Sequence, residues 1–304
     1  MLRELFLSLS HSERAWTFAR RSAALRPALR RFVAGETMDD GLTAAAALRA
    51  KGMAATLDLL GEATETEDDA RRAARGYVEV LNGIFHRGLA SHVSLKLSQM
   101  GLDLSEDLAA GLLDLIARTA ASVGTFVRVD MEDSGRLPAT LRVFDRVLLS
   151  GRRNVGIVLQ AYLFRTPDDL DRYTRLGASI RLCKGAYAEP PSVAYPRKAD
   201  VDGAYGRLAE RLLLHGTAPA LATHDERLVR KACDFAASRG IPPDRFEFQF
   251  LYGIRRDLQE RLVGEGYRVR IYVPFGTHWY PYFMRRLAER PANVAFIARH
   301  LIGA

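Results

Sequence analysis

Short runs of apolar and β-branched residues recur eight times along the chain, and each run ends in a polar or charged residue. The stretches between them show the three-to-four-residue apolar spacing of amphipathic helices. Strands that alternate with helices in this way predict parallel β-α units. The eight runs cover residues 56–62, 92–96, 126–130, 156–160, 179–184, 220–224, 246–252 and 269–272.

Eight strand-helix units predict an α/β fold, a (β/α)8 TIM-type barrel, more economically than they predict an open sheet. A parallel barrel gathers the carboxyl ends of its strands on one face, so polar strand ends spread over roughly two hundred positions would meet in one pocket. No GxGxxG motif follows a strand and no Walker-type phosphate loop is present, which argues against a Rossmann or P-loop domain.

The first fifty residues differ from the rest, because arginines are interleaved there with leucine, alanine and aromatic residues. Pro27 should begin or break a helix in this stretch. We predict that residues 1–50 form an N-terminal helical arm and residues 51–304 the barrel. The arm would pack on the barrel or on a partner subunit, and its basic residues could touch a membrane surface. A transit peptide is disfavoured by Glu4 and Glu13.

Composition narrows the class of protein further. With 304 residues and 48% hydrophobic content, the chain can bury a full barrel core, and it has no apolar run long enough for a transmembrane helix. Its two cysteines, Cys183 and Cys233, lack metal-ligand spacing, which fits a reduced, cytoplasmic protein. The net charge of +8 comes from arginines interspersed with acids on helix faces, so a solvated surface is favoured over nucleic-acid binding.

Two strand ends place ionisable groups at the predicted pocket. Lys96 ends the second run, where an isolated lysine would simply extend to solvent. Asp130 ends the third run and could either orient Lys96 or pair with Arg128; the sequence leaves both open. Gln160 ends a strongly apolar run, and a buried amide of this kind needs hydrogen-bond partners, such as the edge of a heterocyclic ring.

The fifth and sixth runs add further polar groups. Arg181 and Lys184 bring two cations to the pocket, and Gly185 would let a large ligand approach the backbone. An anion or an electron-accepting ring is the physical counterpart of such charge. His224 ends the sixth run without a second histidine at helical spacing, so no metal site is predicted.

The adjacent arginines Arg285 and Arg286 lie on a predicted helix near the C-terminus. Neighbouring helical side chains point about 100° apart, so both reach the pocket only if this C-terminal helix lies over the barrel mouth. Two guanidinium groups suit bidentate binding of a carboxylate. Glu289 follows Arg285 by one turn and could hold it in place. The alternative is a pair of surface arginines on an amphipathic helix.

Six ordered motifs make the chain resemble proline dehydrogenase, an FAD-dependent barrel found alone or within bifunctional proline-utilisation proteins. The resemblance extends from about Gly61 to Leu301. The motifs are Leu59-Leu60-Gly61-Glu62, Ser94-Leu95-Lys96, Arg181-Leu182-Cys183-Lys184-Gly185-Ala186-Tyr187, Ala222-Thr223-His224, Phe246-Glu247-Phe248-Gln249-Phe250-Leu251-Tyr252-Gly253, and Tyr272-Val273-Pro274-Phe275-Gly276-Thr277-His278 with Arg285-Arg286.

The resemblance implies a role for each matched residue. Asp130 and Arg181 match catalytic positions, with Arg181 beside the reactive edge of the isoalloxazine. Glu62 would pair with Arg285 as a gate over the substrate. Proline would be held at its carboxylate by Lys96, Arg285 and Arg286 and enclosed by Tyr272, Leu251, Tyr187 and Glu289. FAD contacts would come from Met131, Gln160, Arg181, Lys184, Gly185, Ala186, Thr223 and His224.

The implied reaction is oxidation of L-proline to Δ1-pyrroline-5-carboxylate by hydride transfer from C5 to flavin N5. Electrons would pass to a membrane quinone, which suggests a cytoplasmic protein that contacts the inner face of the membrane. The product could pass to a Δ1-pyrroline-5-carboxylate (glutamate semialdehyde) dehydrogenase. The alternative on the same barrel is a Schiff-base aldolase or lyase that uses Lys96 or Lys184 as nucleophile. A non-enzymatic basic scaffold would instead bind nucleic acid or lipid in a salt-sensitive way.

Overall fold

Eight parallel strands close into a barrel in which every strand pairs with its neighbour in sequence and the last pairs with the first. The structure, a computed structural model, describes residues 26–289, without the side chains of residues 26–28, 285 and 287–289. The strands are β1 Ala54–Leu59, β2 His92–Lys96, β3 Val127–Asp130, β4 Val155–Gln160, β5 Ser179–Cys183, β6 Thr217–Ala222, β7 Glu247–Leu251 and β8 Arg268–Phe275. The predicted (β/α)8 barrel is confirmed.

Helices follow the strands as the periodicity predicts. They are α1 Arg26–Phe32, α2 Met38–Arg49, α3 Glu67–His86, α4 Glu106–Ser122, α5 Leu137–Leu149, α6 Thr166–Arg175, α7 Lys198–His215, α8 Glu226–Ser238, α9 Arg256–Gly264 and α10 Trp279–Glu289, with 3-10 turns at Leu97–Met100 and Pro243–Arg245. The starts of α3 and α4 are set by local chemistry, because the hydroxyls of Thr66 and Ser105 accept the amide protons of Asp69 and Leu108.

The place where the barrel closes, between β8 and β1, departs from the regular order in which the helix after each strand covers that strand. Helix α2, which precedes β1, packs against both β1 and β8 and buries Leu42, Ala45 and Leu48. Helix α2 therefore covers the seam where the barrel closes. The helix after β8, α10, packs instead against α1, with the Phe32 and Phe283 rings 6.2 Å apart.

The division into an arm of residues 1–50 and a barrel of residues 51–304 stays a prediction. Residues 1–25, which are half of the predicted arm, and residues 290–304 lie outside the described residues. Within the described part, α2 belongs to the barrel wall by its contacts. The first strand also ends at Leu59, earlier than the predicted run, so Glu62 lies in the loop that follows it.

The barrel interior is polar, whereas the outer strand faces are apolar. Outward residues such as Leu57, Val93 and Ile157 pack in the core between sheet and helices. Deep inside, Arg270 donates from Nε to both carboxylate oxygens of Glu247 at 3.0 Å. Such buried charges are tolerated because each has a partner at close range. The interior therefore supplies fixed charges beneath the carboxyl ends of the strands.

Candidate active site

A cavity of about 500 Å³ opens at the carboxyl ends of the strands. Its wall comes from β2 to β8, the loops that follow them, and α10. This arrangement follows from the parallel topology, which aligns the ends of distant strands. The predicted site residues that line it are Lys96, Asp130, Met131, Gln160, Arg181, Lys184, Gly185, Ala186, Tyr187, Thr223, His224, Leu251, Tyr272 and Arg286.

Asp130 is the centre of a buried hydrogen-bond cluster in this wall. Its Oδ1 accepts from Arg181 Nη1 at 2.8 Å and from Ser94 Oγ at 2.7 Å, while its Oδ2 accepts from Tyr272 OH at 2.7 Å. The Arg181 guanidinium carbon lies 5.4 Å from the centre of the Tyr272 ring. Burial raises the pKa of the Tyr272 phenol well above its usual value, and the charge of Asp130 raises it further. Tyr272 therefore stays protonated and can donate.

The structure also settles what Asp130 and Lys96 bind. Lys96 is next to Asp130 in the β2-β3 register, but its Nζ lies 3.9 Å from Oδ1 of Asp58, a carboxylate of β1 that is fully buried. Arg128 bonds elsewhere, donating from Nη1 to the carbonyl oxygen of Ser179 at 2.6 Å. The charge partner of Asp130 is therefore Arg181 rather than Arg128.

Lys184 lies in a cluster of opposite charges at one side of the cavity. Its Nζ is 2.5 Å from Asp202 and 3.3 Å from Asp225. Burial by itself would raise the pKa of Asp225, but hydrogen bonding with Arg227 and the charge of Lys184 outweigh it and lower the pKa to about 2. Lys184 thus forms ion pairs with two carboxylates.

Two neutral groups at the strand ends are fixed by the backbone. Gln160 Nε2 donates to the carbonyl oxygen of Glu132 at 2.9 Å, which satisfies part of this buried amide. His224 Nε2 accepts from the Leu251 amide at 3.0 Å. A neutral imidazole that accepts at Nε2 carries its proton on Nδ1, so His224 presents one donor.

Gly185 turns the chain after β5 in a conformation that favours glycine, with φ at +113°. A Cβ atom at this position would lie 2.3 Å from the ring of Tyr162. The sequence predicted close approach of a ligand here. The structure shows that another side chain of the protein already lies against the same backbone.

Helix α10 carries Arg286 to the cavity, as the helix-over-mouth hypothesis requires. Its guanidinium carbon lies 5.1 Å from the centre of the Tyr282 ring, and both residues line the cavity. The side chains of Arg285 and Glu289 lie outside the described part of the chain, so their predicted contacts stay predictions. Exposed Glu62 lines a neighbouring cavity of about 530 Å³ instead, together with Tyr77, Gln99 and His278.

Sequence reasoning did not single out several residues in and beneath this site, among them Asp58, Ser94, Cys183 and Tyr282. Asp58 and Ser94 face each other in the β1-β2 register inside the barrel. The sequence does contain a sign of Asp58, because a carboxylate inside the predicted strand Thr56-Leu57-Asp58-Leu59 would be buried and would need a partner. Cys183 is partly buried and lines the cavity.

Residues 26–289 contain no group of three histidine, cysteine, aspartate or glutamate side chains arranged to hold a metal ion. In the same part of the chain, no helix combines the length and apolarity needed to cross a lipid bilayer.

Comparisons with known proteins agree on one family. A family model described as proline dehydrogenase matches residues 42–299. The chain is 40% identical to proline dehydrogenase 1 of Bacillus subtilis (strain 168), covering 99% of each sequence. It is 43% identical to a proline dehydrogenase of Deinococcus radiodurans, covering 90% of this chain and 89% of that one. The structure resembles proline utilization A of Bdellovibrio bacteriovorus inactivated by N-propargylglycine, with a TM-score of 0.82 and 27% identity, over 91% of this chain and 34% of that longer one.

Proposed function

Because this chain belongs to the proline dehydrogenase family, we propose that it oxidises L-proline to Δ1-pyrroline-5-carboxylate with bound FAD and passes the electrons to a membrane quinone. The observation that carries the proposal is the convergence of Lys96, Arg181 and Arg286 on one cavity at the carboxyl ends of the strands. The cations suit an amino acid carboxylate next to an electron-accepting ring.

The residues of the cavity fit a flavin. The Nε of Arg181 is buried and has no hydrogen-bond partner among the described residues, so the guanidinium has a donor left for a ligand. Further FAD contacts are proposed for Met131, Gln160, Lys184, Gly185, Ala186, Thr223 and His224, which all line the cavity. When bound, FAD supplies the acceptor for the hydride that leaves C5 of proline.

Proline is proposed to bind through its carboxylate to Lys96 and Arg286, with Arg285 as a third cation. Tyr272, Leu251 and Tyr187 line the cavity and would enclose the pyrrolidine ring, together with Glu289, while Glu62 would close over it as a gate to Arg285. Fixing the carboxylate at one point and the ring at another orients C5, which replaces a random encounter by a near-attack arrangement.

The same cations also favour the reactive form of the substrate. The amine must be neutral for its lone pair to expel the hydride. Positive charge from Lys96 and Arg286 disfavours the ammonium form of a bound amine and so promotes loss of its proton. Asp130 neutralises Arg181 and fixes its direction through their 2.8 Å bond.

The acceptor and location are proposed from the surface beside the cavity. Tyr187 at the cavity and Phe164 on a nearby loop are large apolar side chains, 36% and 44% exposed. They suit transient contact with an apolar quinone at the inner face of the membrane by a protein of the cytoplasm. The product would then pass to a Δ1-pyrroline-5-carboxylate (glutamate semialdehyde) dehydrogenase.

One experiment tests the proposal. The purified protein should be yellow, and L-proline added without oxygen should bleach the flavin absorption. A colourless protein that stays inert after FAD is added would reject it. A Schiff-base lyase would instead be trapped on Lys96 or Lys184 by borohydride. Both lysines form ion pairs with carboxylates within 4 Å, which a Schiff-base nucleophile would have to give up.

A further inference from the structure

Asp58 is a buried carboxylate beneath the cavity floor whose charge has no role in the reaction as described above. It lies in the middle of β1, is 0% exposed, and faces the barrel interior opposite Ser94. Its Oδ1 lies 3.9 Å from Nζ of Lys96, whose side chain is 20% exposed and lines the cavity. A carboxylate this deeply buried is stable as an anion only when a cation compensates it.

The surrounding groups show why the pair needs both members. Asp130, Arg181 and Tyr272 face the same interior from β3, β5 and β8, and both Arg181 and Tyr272 donate hydrogen bonds to Asp130. Burial raises the pKa of the Tyr77 phenol in α3, and the charge of Asp58 raises it further, so this phenol stays neutral. Glu132 accepts a hydrogen bond from the Ser98 hydroxyl. Among these described groups, Asp58 is the anion that forms an ion pair with Lys96, at 3.9 Å.

We propose that Asp58 is a positioning residue for substrate binding: it keeps Lys96 protonated and draws its ammonium to the floor of the cavity, where it meets the carboxylate of proline. This inference rests on the proposed function. Without Asp58, Lys96 would lie among Arg181 and Arg286 with less compensating charge, so it would lose its proton more readily and rotate more freely. Asp58 acts through Lys96 and does not touch the substrate.

The test compares Asp58→Asn, Lys96→Met and the double variant. The asparagine keeps the shape of the side chain and removes its charge. We expect KM for proline to rise about 10-fold while kcat changes by less than about threefold, since ground-state binding is affected. The rise of KM at alkaline pH should begin at a lower pH than in the unchanged protein, because the ammonium loses its charge partner. The double variant should match Lys96→Met alone, because coupled residues are not additive.

An amine-free ligand separates this role from direct contact with the substrate amine. Tetrahydrofuran-2-carboxylate keeps the ring and carboxylate of proline but has no amine. If Asp58 acts through Lys96, the inhibition constant of tetrahydrofuran-2-carboxylate rises in parallel with the KM for proline in Asp58→Asn. An unchanged inhibition constant with a raised KM would overturn the proposal, because the carboxylate would then be bound equally well.

Thr56→Val provides the matched control. Thr56 lies on the same strand and the same buried face, and its hydroxyl has no hydrogen-bond partner among the described residues. The KM for proline and the pH profile of the Thr56→Val variant should match those of the unchanged protein. If Asp58→Asn does not fold, Lys96→Arg tests the same pair: a pH profile that still turns at the original pH overturns the proposal, since arginine cannot titrate there. Activity of the unchanged protein tests the proposed function separately.

Discussion

Arg181 and Asp130, 51 positions apart in the chain, are joined by a hydrogen bond of 2.8 Å at the floor of the cavity. Each side chain is nearly fully buried, so each charge depends on the other. Removing one member of such a pair leaves an uncompensated charge, which costs more than the pair contributes. Tyr272 and Ser94 complete the cluster from two other strands.

Replacing Asp130 with asparagine should lower kcat by roughly 10- to 100-fold, because the Arg181 guanidinium loses its charge partner and its fixed direction. The free energy of unfolding should fall by about 2 kcal/mol for the same reason. Steady-state kinetics and urea unfolding measure the two effects.

Tyr272→Phe is the matched comparison for Asp130→Asn, since it removes one donor to the same carboxylate and no charge. Its effect on stability should be smaller, about 1 kcal/mol. Equal kcat in Asp130→Asn and the unchanged protein would show that the Asp130–Arg181 bond has no part in catalysis.

Replacing Arg286 with methionine should weaken proline binding by about 2 kcal/mol, because a charge-assisted hydrogen bond to the carboxylate is lost. The KM for proline should therefore rise roughly 30-fold. FAD affinity, measured by titration of the apoprotein, should change far less. Arg268→Met is the control, since Arg268 lies at the opposite end of β8 and donates to the carbonyl of Asp244. Equal losses in proline and FAD affinity would mean that Arg286 maintains the structure of the cavity.

Gly185→Ala should destabilise the protein by about 1 to 3 kcal/mol and weaken FAD binding, because the added methyl group would meet the Tyr162 ring. Gly177→Ala separates the two causes. Gly177 also has a positive φ, +69°, but its Cβ would meet no atom within 4 Å. It should therefore lose stability through backbone strain alone and keep its FAD affinity.

The charge cluster around Lys184 predicts an acid-dependent loss of stability. The pKa of Asp225 is lowered from 3.8 to about 2 in the folded protein, so the folded state binds its proton less readily than the unfolded state. The stabilisation is therefore complete above pH 4 and is lost as the pH falls through about 2. The difference in free energy of unfolding between the unchanged protein and Asp225→Asn should shrink over that range. A difference independent of pH would contradict the assignment.

Much of the fold and site could be predicted because local sequence encodes them. Alternating apolar runs specify strands, Thr66 and Ser105 specify helix starts, and parallel topology brings strand ends such as Lys96 and Arg181 together. These features depend on periodicity and on the geometry of one closed sheet, so they needed no knowledge of side-chain contacts.

Only the tertiary structure decided which charges pair. From the sequence, Asp130 could interact with either Lys96 or Arg128. In the folded chain Asp130 pairs with Arg181, and Asp58 is the partner of Lys96. Nor did periodicity show that α2 would cover the barrel seam and free α10 to bring Arg286 over the mouth. Pairing between side chains on different strands depends on barrel register and rotamer, and these are set only when the whole sheet closes.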